Sequence, residues 1–140
     1  MKALGFVIIG TCLVSTTTIA GFKTNVSVSV ILPASGTASA SGTLAGAQNS
    51  PDTNSYLRCS IKAEYSATYG VSRTLECEAR DSNNVGGFCY LNNPPQVFVD
   101  LVQALKDTDT LTFTWDRATQ VCKSLELGRS SAQIRTGSTT

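Results

Sequence analysis

The chain has 140 residues, enough for one domain, with 41% hydrophobic residues and a net charge of +1 at pH 7. Its charges alternate in sign, leaving no basic stripe to collect phosphates and no acidic block to capture cations, so nucleic acid is not an expected partner. Histidine is absent, which removes the commonest general base and with it Ser-His-Asp and Cys-His catalysis.

The N-terminus has a positive residue, Lys2, an apolar run over 3–14, and small residues ending at Ala20 before Gly21. This is the layout of a secretory signal peptide over 1–20, with an apolar core short for a membrane span. A retained anchor is the alternative. Cys12 invites a lipoprotein reading, but Thr11 in front of it suits lipidation poorly and the apolar run continues beyond it.

Residues 22–32, "FKTNVSVSVIL", alternate, with Val26, Val28, Val30 and Leu32 on one face. They are predicted as a strand with one buried side and no evident pairing partner, and thus as a candidate arm for self-association. Asn25 begins a sequon, Asn25-Val26-Ser27, relevant only in a eukaryotic host. Residues 33–55 are small and polar, a linker by composition, although Thr43, Leu44 and Ala45 fit a short strand.

"YLRCSIKAEY" at 56–65 alternates, and "VSRTLECEAR" at 71–80 repeats the apolar phase with Arg73 interrupting it. Closing 66–70 as a loop with Gly70 at positive φ predicts a hairpin in which Tyr65 faces Val71, Ile61 faces Leu75 and Cys59 faces Cys77. The same register sets Lys62 near Glu76 and Glu78 on the outer face. Residues 81–87 are a loop, and "FCYLNN" fits a short strand.

A helix is predicted over 95–106, with Val97, Leu101, Ala104 and Leu105 on its apolar stripe, widened by Phe98 and Val102. "DTDTLTFTWD" then gives a strand burying Leu111, Phe113 and Trp115, and after a turn at 117–120 "VCKSLELG" returns as another. Cys122 is out of phase with Val121, Leu125 and Leu127, so a bulge is needed to turn it inward.

Beyond the first twenty residues lie Cys59, Cys77, Cys89 and Cys122, spaced by 18, 12 and 33. An even number in a short exported chain points to disulfides; zinc is disfavoured because C-x-x-C pairs and histidines are absent. Sequence alone permits three pairings, and the hairpin register favours Cys59–Cys77, leaving Cys89–Cys122.

Other candidates have plainer structural readings. Glu76 and Glu78 face Lys62 and Arg58 across the hairpin, so a solvated sheet surface accounts for them. Asp107 and Asp109 sit at a helix-to-strand turn where aspartates cap backbone N–H groups, with too few oxygens nearby for calcium. Trp115 is weighed as a sugar-stacking residue, but its phase assigns it to the core. Tyr69, in the loop before Gly70, is the candidate exposed aromatic. Arg129, Ser130 and Ser131 are a weak candidate anion site that a polar strand end explains equally.

The ordered motifs A-x-x-S-x-D-x-x-x-Y-L-x-C (Ala47, Ser50, Asp52, Tyr56, Leu57, Cys59), C-x-A-x-D (Cys77, Ala79, Asp81), Cys89, F-x-W-D (Phe113 to Asp116), Cys122 and Ser130-Ser131 resemble a group of small secreted four-cysteine proteins of Gram-negative bacteria. Arg58 and the glycine-free turn before Cys122 depart from that pattern. The resemblance implies export and a β-rich fold with one helix, and supplies no catalytic residue; it also implies that 42–58 belong to the domain.

The expected fold is therefore α+β: an antiparallel sheet of about five strands, one packed helix and two disulfides. The expected division is 1–20 signal peptide, 21–41 N-terminal strand and small-residue segment, 42–131 stapled domain, and 132–140 flexible tail. The expected function is that of an exported non-enzymatic binding or envelope/matrix protein, with no cofactor, and with a second copy, an extracellular protein or a polysaccharide as partner. The alternative is a secreted inhibitor or toxin-like effector acting through a rigid loop at 66–70 or 81–87.

Overall fold

The structure, a computed structural model, describes residues 26–129. Seven strands and two helices follow in order: β1 (Ser29–Ile31), β2 (Thr37–Thr43), α1 (Leu44–Gln48), β3 (Tyr56–Ser66), β4 (Gly70–Arg80), β5 (Gly86–Asn92), α2 (Gln96–Ala104), β6 (Thr110–Asp116) and β7 (Cys122–Gly128). The strands form two sheets where one was expected, ordered β1-β2-β6-β7 and β3-β4-β5. All neighbouring strands within them run antiparallel.

The extra strands come from the segment that composition presents as a linker. Residues 37–41 alternate Thr, Ala, Ser, Ala, Ser, and β2 buries Ala38 and Ala40 while pairing them with Trp115 and Phe113 of β6. Small residues beside large rings let the sheets close without overpacking. Leu44 and Ala45, expected in a strand, instead open α1, whose N-cap Thr43 accepts a hydrogen bond from the Gly46 N–H at 2.9 Å. β1 has its partner within the chain, β2; Val30 within it and Val28 just before it are buried as expected, whereas Val26 and Leu32 stay exposed. The expected division at residue 41 falls inside β2, in the middle of a folded sheet.

One core lies between the sheets: Ala38, Ala40, Leu111, Phe113, Trp115 and Leu125 from the first meet Leu57, Leu75, Cys77, Ala79 and Cys89 from the second. Trp115 rests on Gly87, where an added Cβ would fall 2.3 Å from the indole. Gly87 pairs with Ala79 on the neighbouring strand, so two small residues form the seat for the largest side chain.

The disulfides are Cys59–Cys77, inside the three-stranded sheet, and Cys89–Cys122, which joins β5 of one sheet to β7 of the other. The expected hairpin register is present residue for residue, from Leu57 opposite Ala79 to Tyr65 opposite Val71. The expected irregularity is also present. Trp115 pairs with Cys122 but Thr114 pairs with Ser124, so Lys123 is the extra residue that turns Cys122 inward.

Helix α2 is rotated from the expected stripe. Val99 is its buried residue, with Phe98, Leu101, Val102 and Leu105 partly buried around it, while Val97 is 59% exposed and Ala104 also faces solvent. Apolar residues at 97, 98, 99, 101, 102, 104 and 105 surround most of the helix, so periodicity alone selects no single face. No helix among the described residues is long and apolar enough to cross a membrane.

Candidate functional site

β3 and β4 each contain 11 residues, but β5 pairs with β4 only from Thr74 to Arg80. The outer part of the hairpin, 63–73, therefore continues past the three-stranded sheet as a two-stranded ribbon. Such a ribbon is marginal on its own, and several contacts support it. Cys59–Cys77 ties the strands together below it. At its root, the Arg73 carbonyl accepts from the Asn93 N–H at 2.7 Å, and the Arg73 guanidinium donates to Gln96 of α2 at 3.2 Å.

The loop at the end of the ribbon is locally ordered. Ser66 Oγ accepts from the N–H groups of Thr68 (3.3 Å) and Tyr69 (3.4 Å), and Gly70 has φ +74°. That left-handed conformation is open to glycine at little cost, so the expected role of Gly70 holds.

Three large side chains are presented here: Tyr65 is 78% exposed, Tyr69 89% and Val71 62%. Tyr65 and Val71 lie opposite each other in the same phase as Ile61 and Leu75, the phase that faces the core further down. They were expected inside, but the ribbon extends beyond that core and leaves them in solvent. Arg73 marks the change, a charged residue standing in the core-facing phase at the point where the core ends. Below the tip, Ile61, Ala63, Arg73, Gln96, Val99, Val102 and Gln103 line an open groove of about 480 Å³ between the hairpin and α2.

The outer face of the hairpin is held by ion pairs. Lys62 meets Glu76 at 2.6 Å, as expected, and Arg58 meets Glu78 at 2.6 Å. Beside them Phe88 and Tyr90 stack with centroids 6.2 Å apart, and Arg80 lies 5.6 Å from the Tyr56 ring. These groups satisfy one another, which agrees with the reading of Glu76 and Glu78 as sheet-surface residues.

The remaining candidates are mostly structural. The Arg129 guanidinium contacts Asp109 at 3.3 Å and donates to the Ala104 carbonyl at 3.2 Å, fastening the end of α2 to the turn before β6. It is thus already engaged by a carboxylate. Ser130 and Ser131 lie outside the described residues, as do 1–25, including Cys12, Asn25 and the expected signal peptide. Asp109 is buried and accepts from the Lys106 N–H at 3.1 Å, the capping role expected there. Trp115 is 2% exposed and belongs to the core.

The 81–85 loop is tied down by Asp81, whose Oδ1 accepts from the N–H groups of Asn83 and Val85, both at 2.9 Å. Val85 packs partly against the core, so this loop offers no large apolar side chain. Asp52 and Asp116, in turns elsewhere, titrate low. Hydrogen bonding from the Ser50 hydroxyl, with further bonds from Ser55 and Asn54, holds Asp52 well below the usual carboxylate range; hydrogen bonding from Lys123, then the Thr119 N–H, lowers Asp116. Both organise turns.

The chain matches no family model, no curated protein and no solved structure. The hairpin tip is therefore identified as a candidate site by its geometry.

Proposed function

We propose that this is an exported, non-enzymatic binding protein of an envelope or extracellular matrix, and that the tip of the β3–β4 hairpin is its contact surface. The observation that carries the reading is the set of three exposed large side chains, Tyr65, Tyr69 and Val71, on a ribbon stapled at its base. Tyrosines provide contact area at low entropic cost and offer hydroxyls to a polar partner. A pre-ordered loop reduces the ordering cost of association. The lack of histidine favours binding over acid–base catalysis.

Two disulfides fit an oxidising compartment, extracellular or periplasmic. With the signal-peptide pattern and the resemblance to small secreted four-cysteine proteins of Gram-negative bacteria, they support export. An inhibitor or toxin-like effector is the second reading, favoured by the same rigid tip and differing in its partner.

The test is capture on the immobilised oxidised protein, comparing wild type with Tyr65→Ser/Tyr69→Ser. Extracellular polysaccharide and a panel of secreted hydrolases serve as probes. Polysaccharide retained by wild type and lost by the variant supports the matrix role, and a stoichiometric hydrolase complex supports the inhibitor. Retention unchanged by the variant excludes the tip as the contact surface.

A further inference from the structure

The long strand β3 is hydrogen-bonded along one side only, being the end strand of its sheet among the described residues. Two observations show which of its backbone groups face the open side. The Cα atoms of Cys59 and Cys77 are 4.1 Å apart, the close spacing of a non-hydrogen-bonded antiparallel pair. Independently, Arg73, opposite Ala63, sends its carbonyl to Asn93, away from β3. Both place the N–H and C=O groups of residues 57, 59, 61, 63 and 65 on the open edge. No proline or register shift interrupts 56–66, so the edge lacks two common safeguards against pairing.

We propose that this edge pairs with the β3 edge of a second copy, antiparallel about a two-fold axis at Ile61, giving a continuous sheet β5-β4-β3-β3-β4-β5. The sequence selects that register. With Ile61 opposite Ile61, all eleven residues of β3 overlap, and Arg58 of each copy, which also pairs with Glu78 of its own chain, lies opposite Glu64 of the other. Moving the axis by one residue toward the strand's start sets Arg58 against Lys62, and moving it one residue the other way sets Lys62 against Lys62. Like charges directly opposite are destabilising, whereas opposite charges help. Glu64 has no ion-pair partner within its own chain among the described residues, unlike Glu76 and Glu78. On the core-facing side, Tyr65 of one copy lies over Leu57 of the other. A two-fold contact of this kind closes on itself and leaves the other strands free. Tyr65 of the tip lies within the pairing, whereas Tyr69 and Val71 remain outside it and stay available to a ligand.

Sedimentation equilibrium of the oxidised mature protein tests this, using the protein itself as probe. Wild type is expected to form dimers. Glu64→Arg alone and Arg58→Glu alone each set like charges against each other at both ends, and each should self-associate about tenfold more weakly or worse. Mixing the two restores both opposite-charge pairs, so a one-to-one heterodimer should form. Ala63→Pro, which removes an edge N–H that β4 does not use, should give a monomer with the disulfides intact. A monomeric wild type, a dimer that survives Glu64→Arg unchanged, or a mixture that fails to pair while both variants remain folded would each overturn the proposal.

Discussion

Gly87 and Trp115 show how closely the core is fitted. A methyl group at residue 87 would meet the indole at 2.3 Å, whereas one at the adjacent Gly86 would meet its nearest atoms at 3.8 Å. Gly87→Ala should therefore cost about 1–3 kcal/mol of stability through overpacking, and Gly86→Ala should change it by less than about 0.5 kcal/mol. Urea denaturation of the two variants side by side checks the contrast; equal effects would contradict the seating of Trp115 on Gly87. Asp52 and Asp116 contribute to the acid dependence of stability. Their folded-state pKa values are depressed, so the stability they contribute is complete above the ordinary carboxylate value of about 4 and is lost as pH falls below it toward the folded values. Asp52→Asn should flatten the stability profile below about pH 4 relative to wild type and leave its shape near pH 7 unchanged.

Among the elements, those with strict alternation were legible from sequence. The β3–β4 register, the buried face of β6 and the inward turn of Cys122 each follow from which phase must be covered. β2 was obscured because alanine and serine differ little in hydropathy, although its period of two is present in residues 37–41. The hairpin tip was misread because alternation fixes which face a residue occupies and says nothing of where the facing sheet stops; Arg73 was the available signal. α2 was rotated because its apolar residues surround the helix too evenly. Deleting residues 22–40 removes β1, half of β2 and the buried Val28, Val30, Ala38 and Ala40. That truncation should lose cooperative unfolding by circular dichroism, and a truncated protein with an unchanged midpoint would contradict the sheet order. The disulfides act at the same scale. Breaking Cys89–Cys122, which closes a span of 33 residues between sheets, should cost about 3–4 kcal/mol in the chain-entropy model, a large share of the 5–15 kcal/mol that typically holds a domain. The double variant Cys89→Ala/Cys122→Ala measures it by denaturant midpoint.

Among the described residues the molecule is a two-sheet body whose β3–β4 hairpin passes beyond its own core. The exposure of two tyrosines and a valine there is the reason contact with a partner is proposed at that end. The proposed export is tested at this scale as well. N-terminal sequencing of the mature protein should begin near Gly21, and a lipidated species beginning at Cys12 would contradict the signal-peptide reading. The central claim is that the tip binds while the body supports it. The most direct measurement is binding to extracellular polysaccharide and to the secreted hydrolase panel by wild type and Tyr65→Ser/Tyr69→Ser, with the thermal midpoint of each recorded in the same buffer. The account predicts that the variant loses binding at an unchanged midpoint. Equal binding by both proteins, or no binding by wild type to any probe, would contradict it.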